Sequence, residues 1–95
     1  MKLYKIWQTV NVGYDMYDSA VVAAESMDDA RLTHPTGVYE WRVDTWYRPD
    51  YSDKNIFVKA SWDGWVEPYD VEVKYIGEAE IGTQPGLIVS SFNAG

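Results

Sequence analysis

The sequence predicts an α+β fold: a mainly antiparallel sheet of about five to six strands with one short helix packed on it, ordered ββα, then a hairpin, then two further strands. Three observations predict it. A short apolar run, Ala20 to Ala24, stops at Ser26, where a helix signal begins. Strict alternation of large and polar residues recurs through the second half of the chain. Turn formers (Asp63-Gly64, Pro68, Gly82 and Gly86) punctuate that alternation.

Leu3 to Val12 reads as the first strand, rich in β-branched and aromatic residues. Both of its faces carry bulky apolar groups, so it is expected to be central or covered on both sides. Asn11, Gly13, Asp15 and Asp18 are turn residues leading to a second strand, Ser19 to Glu25. Ser26 is the expected N-cap of a helix running to Pro35, with Asp29 at the third helical position and Asp28 and Asp29 facing the positive helix end. The residue before a proline is driven out of the α region, which ends the helix at His34. Val38 to Tyr47 is expected as one strand with a wet face, then a loop, RPDYSDKN, and a partner strand around Ile56 to Trp62. Val71 to Gly77 and Leu87 to Phe92 complete the set. No repeat, linker or low-complexity tract breaks the 95 residues, which read as a single domain.

The chain is 46% hydrophobic and 16% aromatic, far from a disordered composition. It has no cysteine, which excludes disulfides and thiolate metal sites and is in keeping with a reducing compartment. No apolar run approaches the roughly 20 residues that span a bilayer, and polar residues interrupt the N-terminal stretch too often for a signal peptide. The net charge of −7 argues against direct nucleic-acid binding and against anionic membranes. It permits contact with a basic protein surface, or serves solubility alone.

Motifs for chemistry are few. His34 is the only histidine and sits at the expected helix end, where a capping or core-edge role competes with catalysis. Ser-His-Asp combinations lack a nucleophile elbow. Carboxylates gather in two stretches, Asp15 to Asp29 and Asp63 to Glu80, without the spacing of a calcium loop. Gly82 and Gly86 do not form a phosphate cradle. The expectation is therefore no catalytic residue, cofactor or metal, and a protein that is not an enzyme.

The most suggestive constellation is aromatic. Trp41, Trp46, Tyr47, Tyr51, Trp62, Trp65 and Tyr69 crowd together with Arg42 and Arg48. Trp, Tyr and Arg are the types enriched at binding hot spots, because each joins a large contact area to a polar handle. If Trp41 and Tyr47 face inward on one strand, Trp46 faces outward beside Arg42 and Arg48. The candidate protein-contact residues are Arg42, Trp46, Arg48, Tyr51, Trp62 and Trp65, with the carboxylates Asp15, Asp18, Asp28 and Asp29. A basic pocket built from Arg31, Arg42, Arg48, Lys54 and Lys59 would instead suit a nucleotide or other small ligand. An enzyme using the carboxylate clusters ranks third. Self-association through a sheet edge or face is open to such a chain.

Four stretches, MKLYKIWQTVNVGYDMYDSAVVAAES, DDARLTHP, WVEPYDVEVKYIGEAE and IVSSFNAG, together resemble a group of small proteins encoded by bacteriophages and prophages. The resemblance spans most of the chain apart from the aromatic hairpin. It implies an accessory protein made in a bacterial cytoplasm. By analogy with anti-CRISPR proteins, it implies one that binds a host protein stoichiometrically, a counter-defence inhibitor being one form. It brings no catalytic residues.

Overall fold

In chain order the elements are β1 Lys2–Trp7, β2 Met16–Ala24, α1 Met27–Arg31, β3 Glu40–Arg42, β4 Thr45–Pro49, β5 Phe57–Lys59, β6 Glu72–Glu78 and β7 Gly86–Asn93, with a 3-10 turn at Pro68–Asp70 before β6. They come from a computed structural model that describes residues 1–11, 16–60 and 65–93. The α+β class holds. The expected single sheet is instead two antiparallel sheets, with the order β6-β1-β2-β7 in the larger and β3-β4-β5 in the smaller.

Strand β1 is central, as its two apolar faces predict. It pairs with β2 from Lys2↔Ala24 to Trp7↔Ser19, and with β6 on its other side. Tyr4 and Ile6 of β1 and Ala20, Val22 and Ala24 of β2 are buried and share one face. Fully burying a side chain such as Ile6 or Val22 contributes about 1.5–3 kcal/mol each. The β1–β2 connection is tied by Gln8, a polar residue inside the expected first strand. Gln8 is buried, donates from Nε2 to the carbonyls of Asn11 and Tyr17, and accepts from the Asn11 N–H at 2.7 Å.

Ser26 caps α1 as expected, its Oγ accepting from the Asp29 N–H at 3.2 Å. The helix is shorter than expected and ends at Arg31, with Leu32 as its C-cap. Residues 34 to 37 form a separate tight turn, closed by Gly37 N–H donating to the His34 carbonyl at 2.9 Å. Proline at the second position of a turn sets that geometry, and Gly37 supplies its positive φ of 79°. Ala30 is the buried residue of α1, and Arg31 Nε donates to the Val71 carbonyl at 3.3 Å, tying the helix to the start of β6.

The expected strand Val38 to Tyr47 is in fact two strands. Arg42↔Thr45 is the last pair of β3 and β4, so Val43 and Asp44 form a two-residue hairpin turn. Val43 holds φ at 59°, a region usually left to glycine. The predicted pairing of the next strand with this region holds: β4 and β5 are antiparallel, from Tyr47↔Lys59 to Pro49↔Phe57. One core unites both sheets, with Trp46, Trp65, Val66 and Val71 packed on the buried face of the large sheet. Among the described residues, no helix is long and apolar enough to cross a membrane.

Candidate protein-contact surface on the small sheet

The turn at Val43-Asp44 decides which side chains of the small sheet meet water. Folding the chain back places Trp41 directly opposite Trp46, so the two indoles share one face. They meet edge to face at 5.3 Å. That face is the inner one. Trp46 is only 7% exposed, and its Nε1 donates to the Val66 carbonyl at 3.1 Å. The expected outward Trp46 is therefore a core residue. Alternation along one unbroken strand would put Trp46 outward, and the Val43-Asp44 turn reverses that count. Trp65 is likewise buried, at 4% exposure.

His34 closes the inner face. It is 1% exposed and stacks on Tyr39 at 4.5 Å, with Trp46 edge-on at 4.8 Å and Tyr17 and Trp65 beyond 6 Å. Its Nδ1 accepts from the Thr36 N–H at 3.0 Å, which fixes the turn after α1. The imidazole is thus packed among aromatic rings. Among the described residues, no group of three or more His, Cys, Asp or Glu side chains could hold a metal ion.

The outer face carries Glu40 and Arg42 of β3, Thr45, Tyr47 and Pro49 of β4, and Phe57 and Lys59 of β5, by strand alternation from the paired positions. Arg42 is its centre. The guanidinium lies 5.1 Å from the Tyr47 ring centroid and 4.8 Å from that of Phe57. Glu40 holds it from the side at 3.0 Å. Such stacking is worth about 0.5–1 kcal/mol at an exposed site, enough to pre-order the arginine for contact.

Around the edge of the sheet, Arg48 lies 4.0 Å over the Tyr51 ring and donates to the Pro49 carbonyl at 3.0 Å. The loop that follows is shaped by Asp50 and Asp53, whose carboxylates accept from the N–H groups of Ser52 and Asn55. It leaves an open, mostly apolar groove of about 290 Å³ between Val38, Tyr39, Arg48, Pro49, Tyr51 and Lys54, with Asp50 also at its wall. Tyr51 is 85% exposed.

Charge is unevenly spread. Residues 40 to 59 hold Arg42, Arg48, Lys54 and Lys59 against Glu40, Asp44, Asp50 and Asp53, so the small sheet is neutral and the whole −7 lies on the rest of the chain.

Of the sequence candidates, Arg42, Arg48 and Tyr51 come together on the small sheet and its loop. Asp18 is exposed on β2, at a register shift against β7. Asp28 and Asp29 are exposed on α1, where Asp28 pairs with Arg31 at 3.5 Å. These carboxylates belong to other elements than the arginine stripe. Asp15 and Trp62 lie outside the described residues. Tyr47, Phe57 and Lys59 were missed as surface groups; their signal was the shared parity with Arg42, readable once the turn is known. No protein-family model, no curated protein and no solved structure matches the chain.

Proposed function

We propose that this chain is a stoichiometric protein-binding module that works through the outer face of β3–β4–β5. The observation that carries this reading is the Arg42 guanidinium stacked on both Tyr47 and Phe57 on an outward sheet face. These are the residue types that supply most binding energy when a partner excludes water from them. The phage resemblance supplies the context: an accessory protein that occupies a host protein in the bacterial cytoplasm and blocks it, as a counter-defence inhibitor would. The neutral small sheet forms the contact, and the acidic remainder keeps the module soluble and repels nucleic acid.

The test is affinity capture from bacterial lysate with the tagged chain, beside an Arg42→Ala/Phe57→Ala variant of unchanged melting temperature. A protein retained by the first and lost from the second supports the reading. Retention should change little as salt rises, because the contacting face is neutral. Equal retention by both chains, or none by either, overturns it.

The groove beside Arg48 favours a second reading, a sponge for an anionic aromatic ligand such as a nucleotide. Arg48 and Lys54 supply cations and Tyr39 and Tyr51 supply rings. A thermal-shift panel of nucleotides tests it. A stabilisation that disappears in Arg48→Ala supports the sponge, and no shift across the panel removes it.

A further inference from the structure

Among the seven described strands, β7 alone carries no charged side chain; its sequence is GLIVSSFN. Each of the others holds at least one: Lys2 and Lys5, Asp18, Glu40 and Arg42, Arg48, Lys59, and Glu72, Lys74 and Glu78. β7 is also an edge of the large sheet, eight residues long. Edge strands present a row of backbone groups to any passing strand, and chains that stay single guard them with charge, proline or brevity. The opposite edge, β6, is guarded by its three charges and by a bulge in its pairing with β1. The edges of the small sheet, β3 and β5, are three residues each and charged. β7 has neither charge, proline nor brevity; its irregularities are two register shifts against β2, one at Ile88, and Ile88 and Val89 are 51% and 58% exposed. Beside it, a shallow depression of about 150 Å³ opens between Lys5, Ser19, Val21, Val89 and Ser91.

We infer that β7 pairs antiparallel with β7 of a second copy of this chain, joining the two large sheets into one. Charge selects this occupant. Two chains of −7 repel wherever their acidic surfaces meet, and like charges opposed across strands are destabilising. β7 against β7 opposes no charges at all. A charged strand from an unrelated protein would find no counter-charge along this edge. Antiparallel pairing of a strand with its own copy is two-fold symmetric, so the assembly closes at two subunits instead of growing into a fibre. Ile88 and Val89 of the two copies then meet near the axis, with Val89 at the wall of the depression.

The test uses sedimentation of the full chain from roughly 10 to 500 µM. The expected mass is twice 10.9 kDa at the upper end, falling to 10.9 kDa for Val89→Lys. Ile81→Lys, at a more exposed site off this edge, should keep the doubled mass. The chain has no cysteine, so single cysteines report proximity cleanly. Paired strands hold opposed Cα atoms about 4.5–5.5 Å apart, within disulfide reach. Ile88→Cys or Val89→Cys, next to the axis, should therefore cross-link to its own copy on mild oxidation, while Ser52→Cys in the exposed loop should not. A wild-type chain that stays at 10.9 kDa throughout overturns the inference. So does a Val89→Lys chain that keeps the doubled mass, or cross-linking at positions 88 and 89 no greater than at Ser52.

Discussion

Trp46 donates its indole N–H to the carbonyl of Val66, twenty positions away, at 3.1 Å inside the core. That bond fastens the small sheet to the segment leading into β6. Trp46→Phe keeps an aromatic ring but removes the donor and part of the volume. The Val66 carbonyl is then left buried without its partner, which costs about 1–3 kcal/mol before any cavity is counted. The midpoint of urea unfolding should fall with the slope unchanged. Trp41→Phe, at a half-buried position, should cost less. Equal stability of Trp46→Phe and wild type would refute this role.

The same residue shows what could be read from the sequence. The strands of the large sheet, the Ser26 cap and the β4–β5 pairing follow from alternation and capping chemistry, which act over a few residues. The orientation of Trp46 does not, because it depends on a turn made by Val43-Asp44, a pair with no glycine. With that turn unrecognised, Arg42 and Arg48 were placed on a common surface with the wrong tryptophan. Tyr47 and Phe57, the rings Arg42 stacks on, were missed. The burial of Gln8 and His34 escaped for a related reason. Each is a polar residue whose partners are mainly backbone groups of a nearby turn, and such partners leave no mark on hydrophobic periodicity.

His34 gives the second prediction. Its ring touches Tyr39 and Trp46, and its Nδ1 accepts from Thr36. His34→Ala loses both packing and acceptor, and about 3 kcal/mol or more of stability is expected to go with them. His34→Phe restores a ring but not the acceptor, so it should lose only about 1–2 kcal/mol. Equilibrium unfolding of the pair separates the two contributions. Two variants as stable as wild type would show that the imidazole is not structural and would reopen a chemical role.

Val43 gives a prediction of opposite sign. It holds φ at 59° while 96% exposed, so its side chain gains little from packing. A left-handed conformation costs a residue with a Cβ roughly 1–2 kcal/mol, more for a branched one. Glycine removes that strain but adds about 0.5–1 kcal/mol of unfolded-state entropy. Val43→Gly should therefore stabilise the chain by about 0.5–1 kcal/mol net, raising the melting temperature by roughly 2–8 °C for a domain of this size. Val43→Ala keeps the Cβ and should gain less. A melting temperature lowered by the glycine would mean that the turn is not strained.

Tyr75 and Glu78 make the last prediction, a matter of sign. The phenol donates to the Glu78 carboxylate at 2.5 Å, and this bond, with burial and the nearby negative charge, raises the tyrosine pKa above its ordinary value. Tyr69 is raised in the same way by Glu67. The bond needs the neutral phenol, so its contribution is complete below the ordinary tyrosine range, about 10. It is lost as pH climbs through the higher folded-state value. Tyrosinate absorbance should thus show Tyr75 ionising above the ordinary tyrosine range. Subtracting the titration of Tyr75→Phe isolates its share. Glu78→Gln removes the charge and weakens the acceptor, so the Tyr75 midpoint should drop toward the ordinary value while the curve for Tyr69 stays put. A Tyr75 midpoint indifferent to Glu78→Gln would show that the carboxylate does not hold the proton there.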